Sequence, residues 1–120
     1  MNRILVCEDN TDLMVLISMA LQLENYTVKT VPNVDNIVAI ARAFKPDIVL
    51  VDLWMPGIGG EGAVRALQAD EATCDKPMML LSASSEVADA AKRLGIPYLE
   101  KPFEIKELRS RVADLLSGKP

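Results

Sequence analysis

The segment Ile48-Val49-Leu50-Val51-Asp52-Leu53-Trp54-Met55-Pro56-Gly57 decides the fold. Four aliphatic residues run in succession without a polar break. A strand reads this way when helices cover both faces of a parallel sheet. The run stops at an acid, and Pro56-Gly57 marks a turn a few residues on. Asp52 is therefore expected at the carboxyl end of a buried strand, which is where open α/β sheets bind ligands.

The same reading extends outward. Ile4-Leu5-Val6-Cys7, Tyr26-Thr27-Val28-Lys29-Thr30 and Met78-Met79-Leu80-Leu81 are further strands, and Pro97-Tyr98-Leu99 is a shorter fifth. Helical patterns fill the gaps. Asn10 or Thr11 can cap a first helix with Leu13, Leu16, Ile17, Ala20 and Leu21 on its inward stripe. Asn33 can cap a second, with Ile37, Ile40, Ala41 and Phe44 inward and Pro46 as its stop. A third runs from about Gly60 to Ala69 and buries Val64 and Leu67. A fourth, from about Ser85 to Leu94, ends at Gly95. The last, from about Glu104 to Leu116, repeats Ile105, Leu108, Val112 and Leu115. Strand and helix thus alternate five times, which implies an α/β fold with a parallel sheet and right-handed crossovers.

Composition narrows the function. The 120 residues suit one domain. Residues 1–117 are expected to form it, with 118–120 as a tail or the beginning of a linker; Met1 directly before the first strand suggests a natural start. Thirteen basic and seventeen acidic residues give a net charge of −4, and no long basic run speaks for direct nucleic-acid binding. There is no histidine, so a metal site would need oxygen ligands, which favours Mg²⁺, Mn²⁺ or Ca²⁺. Cys7 and Cys74 form neither a CxxC site nor a disulfide framework, so a reducing cytoplasm is the expected location. No run is long and apolar enough for a signal peptide or membrane span, so no membrane partner is expected.

The residues after each strand carry the chemistry. Glu8 and Asp9 follow the first, Asp52 the third, Ser82 the fourth and Lys101 the fifth. Two carboxylates about 4 Å apart repel by about 4 kcal/mol at an effective dielectric near 20. Three in one cleft therefore call for a cation, and hard oxygens suit Mg²⁺. A phosphoryl group in transfer spreads negative charge over three oxygens. A divalent metal, the Lys101 ammonium and the Ser82 hydroxyl can each take one, which fits an acyl phosphate on Asp52.

Four motifs, in order, resemble those of bacterial response-regulator receiver domains over essentially the whole chain. Cys7-Glu8-Asp9-Asn10 resembles the acidic pair, and Val51 to Gly57 followed by Gly60 resembles the phosphoacceptor segment. Leu80-Leu81-Ser82-Ala83 resembles the switch hydroxyl and its small neighbour, and Tyr98 to Phe103 resembles the switch aromatic with its Lys-Pro signature. The resemblance implies a flavodoxin-like, doubly wound sheet of order 2-1-3-4-5 with five helices. It implies Asp52 as phosphoacceptor and metal ligand, Asp9 as a ligand, Glu8 as a ligand directly or through water, and the Trp54 carbonyl as another. Ser82 and Lys101 would bind the phosphoryl group, Tyr98 would be the switch aromatic, and the Lys101–Pro102 bond would be cis. The implied role is a phosphoacceptor in a two-component phosphorelay, not a turnover enzyme. Its partners would be a sensor histidine kinase or phosphotransfer protein and a downstream protein or attached effector, with a weak homodimer as a further state.

The sequence also departs from that pattern. Glu8 stands where Asp is commoner, and Gly59 replaces a common Asp. The stretch from Ser82 to Lys101 is short, which predicts a short or displaced fourth helix. Three rivals share parts of the signal. A small phosphatase resembling the haloacid-dehalogenase class would need a second Asp where Trp54 stands. An FMN binder would want a Ser/Thr/Gly-rich loop where Glu8 and Asp9 would repel phosphate. A pseudo-receiver would keep the fold as a binding module without phosphorylation. Trp54 is expected to face solvent and shield the acyl phosphate from water.

Overall fold

The computed structural model describes residues 2–118. Met1, Lys119 and Pro120, on which the expected start and most of the expected tail rest, lie outside the described residues. Ten elements alternate: β1 Arg3–Cys7, α1 Thr11–Gln22, β2 Thr27–Val31, α2 Ile37–Phe44, β3 Ile48–Asp52, α3 Gly59–Gln68, β4 Met78–Ser82, α4 Val87–Leu94, β5 Tyr98–Glu100 and α5 Ile105–Leu116. The strands pair in parallel in the order β2-β1-β3-β4-β5. This is the flavodoxin-like, doubly wound arrangement expected.

The strands' apolar runs build two layers because successive side chains point to opposite faces. Leu5, Cys7, Val49, Val51, Met78 and Leu80 face α2, α3 and α4. Ile4, Val6, Ile48, Leu50, Met79 and Leu81 face α1 and α5. All ten residues of β3 and β4 are buried. That double burial fixes strand register, because a one-residue slip would exchange the two faces. It also fixes where β3 and β4 end, at Asp52 and Ser82.

Some local expectations needed correction. Asn33 does not cap α2: its Oδ1 accepts the Asp35 N–H at 3.0 Å in a local turn, and α2 begins after Asn36. Leu16 does not face inward but is half exposed, because α1 is apolar on nearly all sides and buries Ile17, Ala20 and Leu21 instead. β2 runs one residue later than expected, which pairs Val31 with Cys7. α4 has eight residues, as its short segment predicts, and ends at Gly95 with φ 70°.

Candidate functional site

The site forms where β1, β3, β4 and β5 end side by side. After β1, the Glu8 N–H donates to Val31 O at 3.1 Å, continuing the ladder by one residue. Glu8 is consequently fully buried, and Asp9 turns outward. Asn10 caps α1 by accepting the Leu13 N–H at 3.0 Å, which leaves the Asp9 carboxylate free of that task. The Asn10 N–H in turn donates to Glu8 Oε2 at 3.1 Å.

Asp52 is the last residue of β3 and is almost fully buried. Its Oδ1 accepts the Trp54 N–H at 3.2 Å. The Lys101 ammonium reaches across from the far side, 2.7 Å from Glu8 Oε1 and 3.3 Å from Asp52 Oδ2. Lys101 is held there by its own N–H, which donates to Ser82 O at 2.9 Å, and it precedes a cis bond to Pro102. Ser82, only 1% exposed, ends β4 beside it.

A carboxylate oxygen from each of Glu8, Asp9 and Asp52 lies within 4.8 Å of the others. Around an octahedral Mg²⁺ with ligands about 2.1 Å away, oxygens are about 3 Å apart when adjacent and about 4.2 Å when opposite. The three acids are close enough to share one such ion. Three carboxylates and one ammonium also leave two negative charges, which a divalent cation would balance. The donor set thus fits a hard divalent cation. Burial pushes the Glu8 carboxyl above the ordinary carboxylate range, opposed by the bonds from Lys101 and the Asn10 N–H. The Cys7 thiol, facing the apolar layer, is pushed up to about 12 by burial and is no nucleophile at neutral pH.

The other expected residues lie farther out. Trp54 is 60% exposed at the mouth of the site. Tyr98 is half-buried in β5, in register with Leu80, and packs against the α2–α3–α4 layer. Gly60, recognisable in the sequence as part of a turn, has a physical reason that only the fold discloses. A Cβ at Gly60 would lie 2.1 Å from Asp52 O and 2.7 Å from Leu53 Cα, so only glycine lets α3 start against the end of β3. Sequence reasoning also missed the Lys101–Glu8 pair, whose partners lie 93 residues apart. α1, which starts near Asp9, exposes Val15, Leu16 and Met19, and Leu23 just past its end is exposed as well.

A family model described as the response regulator receiver domain matches residues 4–113. The chain is 31% identical over 119 residues to the DNA-binding dual master transcriptional regulator RpaA of Synechocystis sp., covering 97% of this chain and 49% of that protein. It spans about half the length of the curated relatives it matches. The receiver domain of sensor histidine kinase PA1611 from Pseudomonas aeruginosa superposes with a TM-score of 0.87 at 27% identity, covering 97% of this chain and 98% of that one. That structure has a magnesium ion coordinated in its active-site cleft. The chemotaxis response regulator CheY4 of Vibrio cholerae shares the fold, with a TM-score of 0.88 at 24% identity over 96% of this chain and 98% of that one.

Proposed function

The chain belongs to the response-regulator receiver family of two-component systems, and on that premise we propose that Asp52 accepts a phosphoryl group from a histidine-bearing donor protein. The observation that carries this reading is the convergence of Glu8, Asp9, Asp52, Ser82 and Lys101 from four strand ends. Caps and turns acting independently would have no reason to assemble three acids, a hydroxyl and an amine in one place.

In the proposed reaction an Asp52 carboxylate oxygen forms a P–O bond. The N–P bond to the donor's imidazole breaks, and its electron pair stays on the nitrogen. The Asp52 side chain is the nucleophile. The Trp54 N–H holds Oδ1 in place, while Lys101 lies within reach of Oδ2 and of the phosphoryl oxygens that would extend from it. The Ser82 hydroxyl supplies a second donor. Mg²⁺, held by Asp9, Asp52, the Trp54 carbonyl and Glu8 directly or through water, would neutralise charge on the transferring group. The apolar face of α1 beside the opening suits docking by the donor. Downstream, the phosphorylated domain would alter contacts with a protein or effector domain; the relatives named as DNA-binding regulators are about twice as long as this chain.

Incubation with acetyl phosphate and Mg²⁺ followed by intact-mass measurement tests the proposal. A phosphate-sized gain is expected, absent without Mg²⁺ and absent in Asp52→Ala. Divalent-cation binding with no mass gain would instead favour a binding module that is never phosphorylated.

A further inference from the structure

We propose that Ser84 is a positioning residue for Asp52 phosphorylation: it ties the Ser82 hydroxyl to the start of α4, while the Arg93–Glu61 pair holds α4 where that tie is made. The inference rests on the phosphoacceptor reading and concerns how that site is coupled to the seam between α3 and α4.

The tie consists of two successive hydrogen bonds. The Ser84 N–H donates to Ser82 Oγ at 3.0 Å, and the Glu86 N–H donates to Ser84 Oγ at 3.1 Å. The Val87 N–H also donates to Ser84 O at 3.2 Å. Glu86, in the N-cap position of α4, makes no capping bond with its own side chain, so Ser84 supplies the cap. A hydroxyl has one proton and two lone pairs. With one lone pair held by Ser84, the direction of the buried Ser82 O–H is restricted. Among the described residues that proton has no acceptor, which leaves it for a phosphoryl oxygen on Asp52.

The other end of α4 is fastened to α3. Arg93 meets Glu61 as a fork, with Nε 3.2 Å from Oε2 and Nη2 2.8 Å from Oε1. Gln68 Nε2 donates to Leu94 O at 2.9 Å. Arg65, one turn along α3, also donates to Glu61 at 2.9 Å. Between these fixed points α4 buries only Val87, Ala90, Ala91 and Leu94. Two of these four are alanines, which interdigitate little, so the polar ties add to a thin apolar contact in holding the helix. A hollow of 310 Å³ opens beside the seam, lined by Trp54, Ile58, Glu61, Glu86, Ala90 and Arg93 among others. Arg93, and then Arg65, hold the Glu61 carboxyl down at about 2, so the pair stays charged through the neutral range. Salt, which screens exposed charges, is therefore the lever on it.

The test is a double-mutant cycle on the rate of Asp52 phosphorylation by acetyl phosphate with Mg²⁺, read by intact mass. Ser84→Ala keeps the N–H but loses the cap, and it should slow phosphorylation about three- to tenfold. Ser84→Thr keeps the hydroxyl and should restore the parent rate. Arg93→Gln, at an exposed position, should slow it about two- to fivefold at low salt, with the difference fading at high salt. The double variant should lose less than the product of the two effects, because both act through α4. A parent rate in Ser84→Ala, a Thr variant as slow as the Ala variant, or strictly multiplicative losses would overturn the proposal while leaving Asp52 as acceptor. A parent chain that takes up no phosphoryl group would overturn both readings.

Discussion

The ends of β1 and β3 and the seam between α3 and α4 are held by opposite means. Glu8 and Asp52 extend from strands whose side chains are almost entirely buried, and Lys101 satisfies them from within. The seam is held by ion pairs open to water and by an eight-residue helix that packs on small side chains. Complete apolar burial permits only one arrangement, because close-packed cores yield little. Exposed ion pairs are worth little individually and are screened by salt. On the proposed reading, the chemistry of this domain would sit where the packing resists shifting, and its coupling to α4 where shifting costs little.

The largest expected effect would break the rigid side of that comparison. Gly60→Ala places a methyl 2.1 Å from the Asp52 carbonyl oxygen, so α3 must move off β3. Urea unfolding should show a loss of about 3 kcal/mol; an unchanged midpoint would mean that the β3–α3 joint is softer than argued. Next, Lys101→Met removes the donor shared by Glu8 and Asp52. Phosphorylation by acetyl phosphate should slow about a hundredfold, the usual cost of losing one charge-stabilising donor.

Acid probes the soft side. The folded pKa of Glu61 is depressed from 4.5 to about 2. Its stabilising contribution is therefore fully present above about 4.5 and lost as pH falls toward 2. The stability difference between the parent and Glu61→Gln should be constant near neutrality and shrink across that acid window. A difference that grows on acidification would contradict the assignment. The smallest expected effect is at the mouth of the site. If Trp54 screens the acyl phosphate, Trp54→Asn should shorten the phosphoryl half-life a few-fold, and equal half-lives would remove that role.

The sequence discloses the two regions unequally for the same physical reason. Continuous apolar runs mark β1, β3 and β4, and the acids and hydroxyl that follow them are placed by strand order alone. Helix faces and ion pairs are less legible. α1 is apolar nearly all round, so periodicity could not tell that Leu16 faces water. Asn33 and Asn36 offer the same capping chemistry three residues apart, and only the chain's path decides that neither side chain caps α2. The Glu61–Arg65 bond is visible as a spacing of four along α3, but Glu61–Arg93 spans 32 residues and depends on how α4 docks.

The most direct measurement traps the phosphoryl group and maps where it sits. After reaction with acetyl phosphate and Mg²⁺, borohydride reduces an aspartyl phosphate to homoserine, which peptide mass mapping locates. The account predicts homoserine at position 52 alone, with Glu8, Asp9 and Ser82 unmodified. Modification at any of those residues in place of Asp52, or no homoserine in a chain that has gained phosphate, would contradict it.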